Sequence, residues 1–187
     1  MLKTQPVAVT AAEYSQMPEG PPYYQLIEGG LEMSPAPVPY HQRILINLTH
    51  MFESYLERHP IGVLYIAPFD VFLSDVNVFQ PDLAFISKAN ASILTDKGAE
   101  GAPDLVVEIL SAKTAHLDRG PKRKIYARTG VKEFWLVDPE RKQVHVYHLR
   151  KDAETPAASY GEKDAFKSPL LPGLRVRCAR AFARPKL

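Results

Sequence analysis

A chain of 187 residues and 20.9 kDa, 45% hydrophobic and 24% charged, is long enough for one domain with a substantial core. Its single cysteine, Cys178, excludes an internal disulfide framework and a cysteine-based zinc site, and a reducing cytoplasm is the simplest compartment. No apolar run approaches the ~18–20 residues of a membrane span, the N-terminus has no sustained apolar stretch of a secretory signal, and a net charge of +2 neither demands nor excludes nucleic acid.

In chain order, residues 1–22 read as an N-terminal arm with a short helix over 11–16, stopped by Pro18 and Pro21-Pro22. Residues 23–187 read as a single domain. An extended segment over 24–33 is broken by Gly29-Gly30 and stopped by Pro35, Pro37 and Pro39. The spacing of Ile44, Leu45, Leu48, Phe52, Tyr55 and Leu56 predicts a helix over 38–58, ended by His59-Pro60 and Gly62. Strands are expected over 63–67, 69–73 and 78–87, with a turn at Asp75-Val76-Asn77 between the last two. A polar loop covers 88–104. The run 105–110 is apolar on both faces, which predicts a central strand.

A helix over 117–129 is closed by Gly130. Strands over 132–137 and 143–149 flank a turn at Asp138-Pro139-Glu140-Arg141 and read as a hairpin. Residues 150–170 read as loop, and the tail adds a short edge segment. The alternation gives an α/β fold, a mixed β-sheet flanked by α-helices.

Two acids stand out because they lie in or beside apolar runs: Asp82 in VFQPDLAFIS and Glu108 in GAPDLVVEILS. An unpaired carboxylate inside such a run is costly to bury. A divalent cation, a lysine, or both would remove that cost and build a hydrolytic site. The basic stretch DRGPKRKIYARTGV follows, and its helical spacing puts Asp118, Lys122 and Tyr126 on one face. The bland alternatives are a strand-end aspartate, a structural ion pair at Glu108 and a solvated lysine.

The segments YYQLIEGGLEMSPAP, the helix carrying His41, APFDVFLSDVNVFQPDLAFIS, GAPDLVVEILS, DRGPKRKIYARTGVKEFWLVDPE and QVHVYHL stand in an order that resembles the PD-(D/E)XK nuclease superfamily. More narrowly, they resemble the bacterial family described as "putative restriction endonuclease", formerly a domain of unknown function. The resemblance covers residues 23–149 and implies a restriction endonuclease-like fold. It further implies Asp82 and Glu108 as ligands of Mg²⁺ or Mn²⁺, the backbone carbonyl of Ile109 as a third, and Lys122 as the catalytic lysine moved onto the following helix. Where the simplest form of the motif has its lysine, this chain has Leu110. A second departure is Gln25, which stands where the family carries an acid, with Glu28 three residues later. His41 also matches the family.

Three functions remain open from these residues. The first is metal-dependent cutting of DNA, with Arg119, Arg123, Lys124 and Arg128 on the phosphates and a homodimer joined through the hairpin 134–149. The second is a nucleic-acid-binding or assembly module without catalysis. The third is a metal-free hydrolase using Asp82 and Glu108 as an acid/base pair.

Overall fold

The computed structural model describes residues 8–18 and 20–185; the first seven residues of the expected arm lie outside them. Helix α1 (Ala11–Tyr14) starts with a capping box between Thr10 and Glu13. The segment around it is tied to the domain. The Val9 N–H bonds the Gly29 carbonyl at 2.9 Å, and the Ala11 N–H bonds the Asp75 carbonyl at 2.6 Å.

Strands β1 (Tyr24–Ile27) and β2 (Gly30–Met33) form a hairpin. Its two-residue turn puts Glu28 at φ 50° and Gly29 at φ 81°, the left-handed pair that fits strand twist. Helix α2 (Pro39–Leu56) follows, with proline in its first turn, where no N–H is needed. Then come β3 (Gly62–Ile66), β4 (Val71–Ser74), β5 (Asn77–Phe79) and β6 (Leu83–Ser87).

The strand expected over 78–87 is therefore two strands, and they belong to different sheets. Pro81 has no N–H to give a ladder, so the chain leaves one sheet at Phe79 and joins the other at Leu83.

The expected loop 88–104 contains a 3₁₀ turn (Lys88–Ile93) and the short strands β7 (Leu94–Thr95) and β8 (Gly98–Glu100). Strand β9 (Leu105–Ile109) is wholly buried. Helix α3 (Ala115–Leu117) runs through a wide π turn (Asp118–Lys122) into α4 (Arg123–Thr129), which Gly130 closes at φ 109°. Pro121 sits in the wide turn, where its missing N–H is tolerated. Strands β10 (Glu133–Asp138) and β11 (Gln143–His148) form the expected hairpin. The expected loop 150–170 instead supplies β12 (Ala158–Gly161) and β13 (Ala165–Lys167). The latter pairs with β14 (Arg175–Arg177), ahead of α5 (Cys178–Ala181).

The mixed sheet orders β12-β11-β10-β9-β6-β3, with β9 central as expected. A second sheet orders β2-β1-β5-β4-β8-β7. The hairpin 134–149 is not an edge, because β9 covers one side and β12 the other. That corrects its expected role as a free interface.

Strand β9 alternates between two cores. Leu105, Val107 and Ile109 pack with Ile44, Leu48 and Phe52 of α2, whereas Val106 and Leu110 pack with Ile125 and Tyr126 of α4 and with Phe79. Apolar cover on both faces explains why its sequence is apolar apart from Glu108. No described helix is long and apolar enough to cross a membrane.

Candidate active site

Asp82 occupies the crossing between the sheets. Its Oδ2 accepts the Ile109 N–H at 2.6 Å and lies 3.3 Å from Nε2 of His41 in the first turn of α2. The residue just before β6, strand β9 and helix α2 thus meet at one carboxylate. The His41 imidazole is buried, which opposes its charge, but the Asp82 carboxylate, joined by the Ile109 backbone and the Glu108 charge, more than compensates and raises its pKa.

Glu108 lies one residue before Ile109, on the β9 face turned to α4. Its Oε1 receives the Tyr126 hydroxyl at 2.7 Å and Nζ of Lys122 at 2.5 Å. Lys122 also lies 3.1 Å from Asp118, one turn earlier, and its ammonium stands 5.5 Å from the Phe79 ring centre. The wide π turn keeps Asp118, Lys122 and Tyr126 together, as the helical spacing predicts.

This cluster is closed rather than open. The side chains of Glu108, Asp118 and Lys122 are 5%, 6% and 3% exposed, against 15% for Asp82, which makes Asp82 the point of approach from solvent. Burial pushes the Glu108 carboxyl up, with the Lys122 charge opposing and Asp118 and Asp82 adding to the rise. Burial raises the Asp118 carboxyl too. Lys122 stays protonated, because Glu108 and Asp118 outweigh the cost of burying its charge. Three carboxyl groups therefore share one ammonium and one imidazole, and the upward shifts of Glu108 and Asp118 are what a nearby cation would reverse.

The donors also leave room for one. They fall on Oε1 of Glu108 and Oδ2 of Asp82, so the second oxygen of each carboxylate accepts no hydrogen bond among the described residues. Among those residues no three His, Cys, Asp or Glu side chains group into a complete metal cage. Two carboxylate oxygens and the Ile109 carbonyl are a donor set suited to a hard ion that keeps several waters, such as Mg²⁺.

The auxiliary candidates divide. Gln25 does not present a ligand: its Oε1 accepts the Gln80 N–H at 3.0 Å and its Nε2 donates to Ser34 at 3.1 Å. Glu28 does not replace the missing acid, because it sits in the exposed hairpin turn and faces Arg128 at 3.3 Å. The basic residues are also engaged. Arg119 bonds Asp138 at 2.8 Å, Arg123 is buried on the carbonyl and carboxylate of Glu154, and Lys124 lies 3.7 Å from Glu154.

Sequence reasoning missed the supports of the crossing. The Tyr14 hydroxyl donates to Asp70 at 3.0 Å, and the Gln80 amide donates to the same Asp70 oxygen at 2.8 Å. With Gln25 they fix the backbone leading into Pro81-Asp82. These residues are far apart in the chain, and no spacing rule links them. The nearest signal is Gln25 itself, an amide where the family has an acid.

The family model Uma2, described as "Putative restriction endonuclease", matches residues 11–180. The fold is similar to the crystal structure of a putative nuclease belonging to DUF820 from Anabaena variabilis ATCC 29413, with a TM-score of 0.77 and 19% identity over 93% of this chain and 97% of that one. No curated protein is significantly similar to the chain.

Proposed function

The chain belongs to the Uma2 family, described as "Putative restriction endonuclease", and from that premise we propose that it hydrolyses phosphodiester bonds of DNA with Mg²⁺ or Mn²⁺ at Asp82 and Glu108. The observation that carries this reading is that Asp82 accepts the Ile109 N–H while Glu108, the residue before Ile109, pairs with the buried Lys122. Asp82, Glu108 and the Ile109 carbonyl would hold the ion. When bound, it would supply Lewis acidity at the phosphate and ease deprotonation of the attacking water.

The chain's own groups do the rest. Lys122 is protonated, so it acts as donor and positive charge rather than as a base. It orients the attacking water and stabilises negative charge developing on the phosphate. Asp118 keeps that ammonium charged and aimed, and Tyr126 fixes the Glu108 rotamer. His41 and the Ile109 N–H anchor Asp82 by one oxygen and leave the other for the ion. The water gives up a proton to solvent as its oxygen bonds phosphorus, the bond to the leaving oxygen breaks, and that oxygen takes a proton from solvent in turn. A homodimer would offer two such sites to antiparallel strands.

The test is calorimetric titration of Mn²⁺ and Mg²⁺ into wild type and Glu108→Ala, followed by nicking of supercoiled DNA. Binding and nicking that both vanish in the variant are expected. Nicking that persists in EDTA overturns the proposal, and metal binding that is equal in both proteins moves the non-catalytic binding reading to the front.

A further inference from the structure

A second basic region lies at the other end of α2. Arg58 follows the helix, while His41 lies in its first turn, so the two are about 25 Å apart at 1.5 Å per residue. Arg58 lines a groove of about 190 Å³ with Arg175, Arg177, Arg180 and Ser54. Strand β14 explains the outward arginines: Val176 points into the core, so Arg175 and Arg177 on either side of it point out. Arg180 stands on α5, immediately after that strand.

Among the described residues this set forms no ion pair: none of the four arginines has a carboxylate within salt-bridge distance, although the basic helix residues all have one. The register of β13 on β14 even sets exposed Lys167 directly opposite Arg175. Like charges in that position are destabilising, so the sheet is held together despite them. The paired strand keeps its register because Phe166 and Val176 are buried opposite each other.

We propose that this groove is a second binding site for the phosphate backbone of DNA, separate from the acids and acting on affinity rather than on chemistry. Guanidinium groups take phosphate oxygens through two parallel N–H bonds, and an arginine-lined groove with a serine at its wall suits a phosphodiester chain. It holds no exposed aromatic platform for a base, so it contacts backbone and carries no sequence preference. The separation of about 25 Å from His41 is less than one turn of B-DNA, about 34 Å, so one duplex is long enough to touch both. The choice of DNA rests on the function proposed above.

The test is fluorescence anisotropy of a labelled duplex with the full chain in EDTA, over a series of salt concentrations. Two variants from different elements are compared with wild type: R175A/R177A and R58Q/R180Q. Each is expected to bind about tenfold more weakly at low salt and to lower the slope of log K against log salt by about 1.8. Thermal melting and Mn²⁺ titration, unchanged in both, would show that fold and acid cluster are intact. Affinity and slope equal to wild type in both variants overturn the proposal. So does a saturable site for inorganic phosphate that empties the groove of duplex, since the groove would then serve a small anion. Weakened binding by the variants in a protein that never cuts would keep this site and remove the nuclease reading. Cutting with unchanged binding would do the reverse.

Discussion

The helix run 118–129 and the C-terminal arginine groove carry similar numbers of cations, but their charges face different things. Along the helix run Arg119, Lys122, Arg123, Lys124 and Arg128 each meet a carboxylate of the fold. In the groove Arg58, Arg175, Arg177 and Arg180 meet none among the described residues. A cluster of like charges in sequence therefore says little about the field outside the molecule, because the field depends on which anions tertiary folding brings alongside. The region that looks like a phosphate-binding helix is largely neutralised, and the one scattered between residue 58 and the C-terminal segment is not.

The largest expected effect sharpens that contrast on the helix side. Glu108→Ala leaves the buried ammonium of Lys122 with Asp118 alone, and should cost about 3 kcal/mol or more in denaturant unfolding. Arg177→Ala, at an exposed position in the groove, should stay within about 0.5 kcal/mol. Comparable losses from the two would break the distinction between engaged and free charge.

Asp82→Asn separates charge from contact. The amide oxygen can still accept the Ile109 N–H, so melting should fall by only about 1 kcal/mol in stability. Metal binding should drop by at least about tenfold, as read by calorimetry, because a neutral oxygen is a poorer ligand for a hard ion. Unchanged affinity would remove Asp82 from the donor set.

The pH dependence tests the same cluster. Glu108 has its carboxyl pushed up from 4.5 to about 8, chiefly by burial. A raised acid holds in the folded state a proton that the unfolded chain has released. Its contribution is therefore full below about 4.5 and is lost as pH rises toward about 8. His41, also raised, adds to the loss above 6.5. Melting temperature in EDTA should fall across this window, and Glu108→Gln should flatten most of the fall. Metal affinity should rise over the same range, because the ion competes with that proton. A flat profile for wild type would mean that Glu108 stays ionised throughout.

The smallest effect is on DNA affinity. Arg123→Ala should cost about 1–2 kcal/mol in stability, through its lost bonds to Glu154 and its stacking on Tyr147 at 5.1 Å. It should leave duplex binding by anisotropy within about twofold. A loss as large as that of the groove variants would show that the helix still faces phosphate.

The elements with one dominant local signal were readable in the sequence. The 3.6-residue spacing of Ile44, Leu48, Phe52 and Tyr55 marks α2, the two-sided apolar run marks β9 as central, and the phase of Asp118, Lys122 and Tyr126 survives a π turn that the sequence does not announce. The strand split at Pro81 was half visible, since a proline argues against a continuous central strand. Nothing local told that the two halves join different sheets. The short strands after residue 150 were hidden because their residues are mixed in polarity and gain order from pairing with β11 and with each other.

Sequence alone determined which side chains are anomalous: a glutamate in an apolar strand, an aspartate after a proline, and a lysine at helical phase with an acid. Burial free energy acts on each residue's own chemistry, so such anomalies can be read without coordinates. Tertiary structure decided which partners relieve them. His41 reaches Asp82, Gln25 supports the backbone instead of offering a ligand, Glu28 turns to Arg128, and the arginines of the groove meet no carboxylate among the described residues. Charge interactions fall off over a few ångströms, and only the folded chain sets those distances.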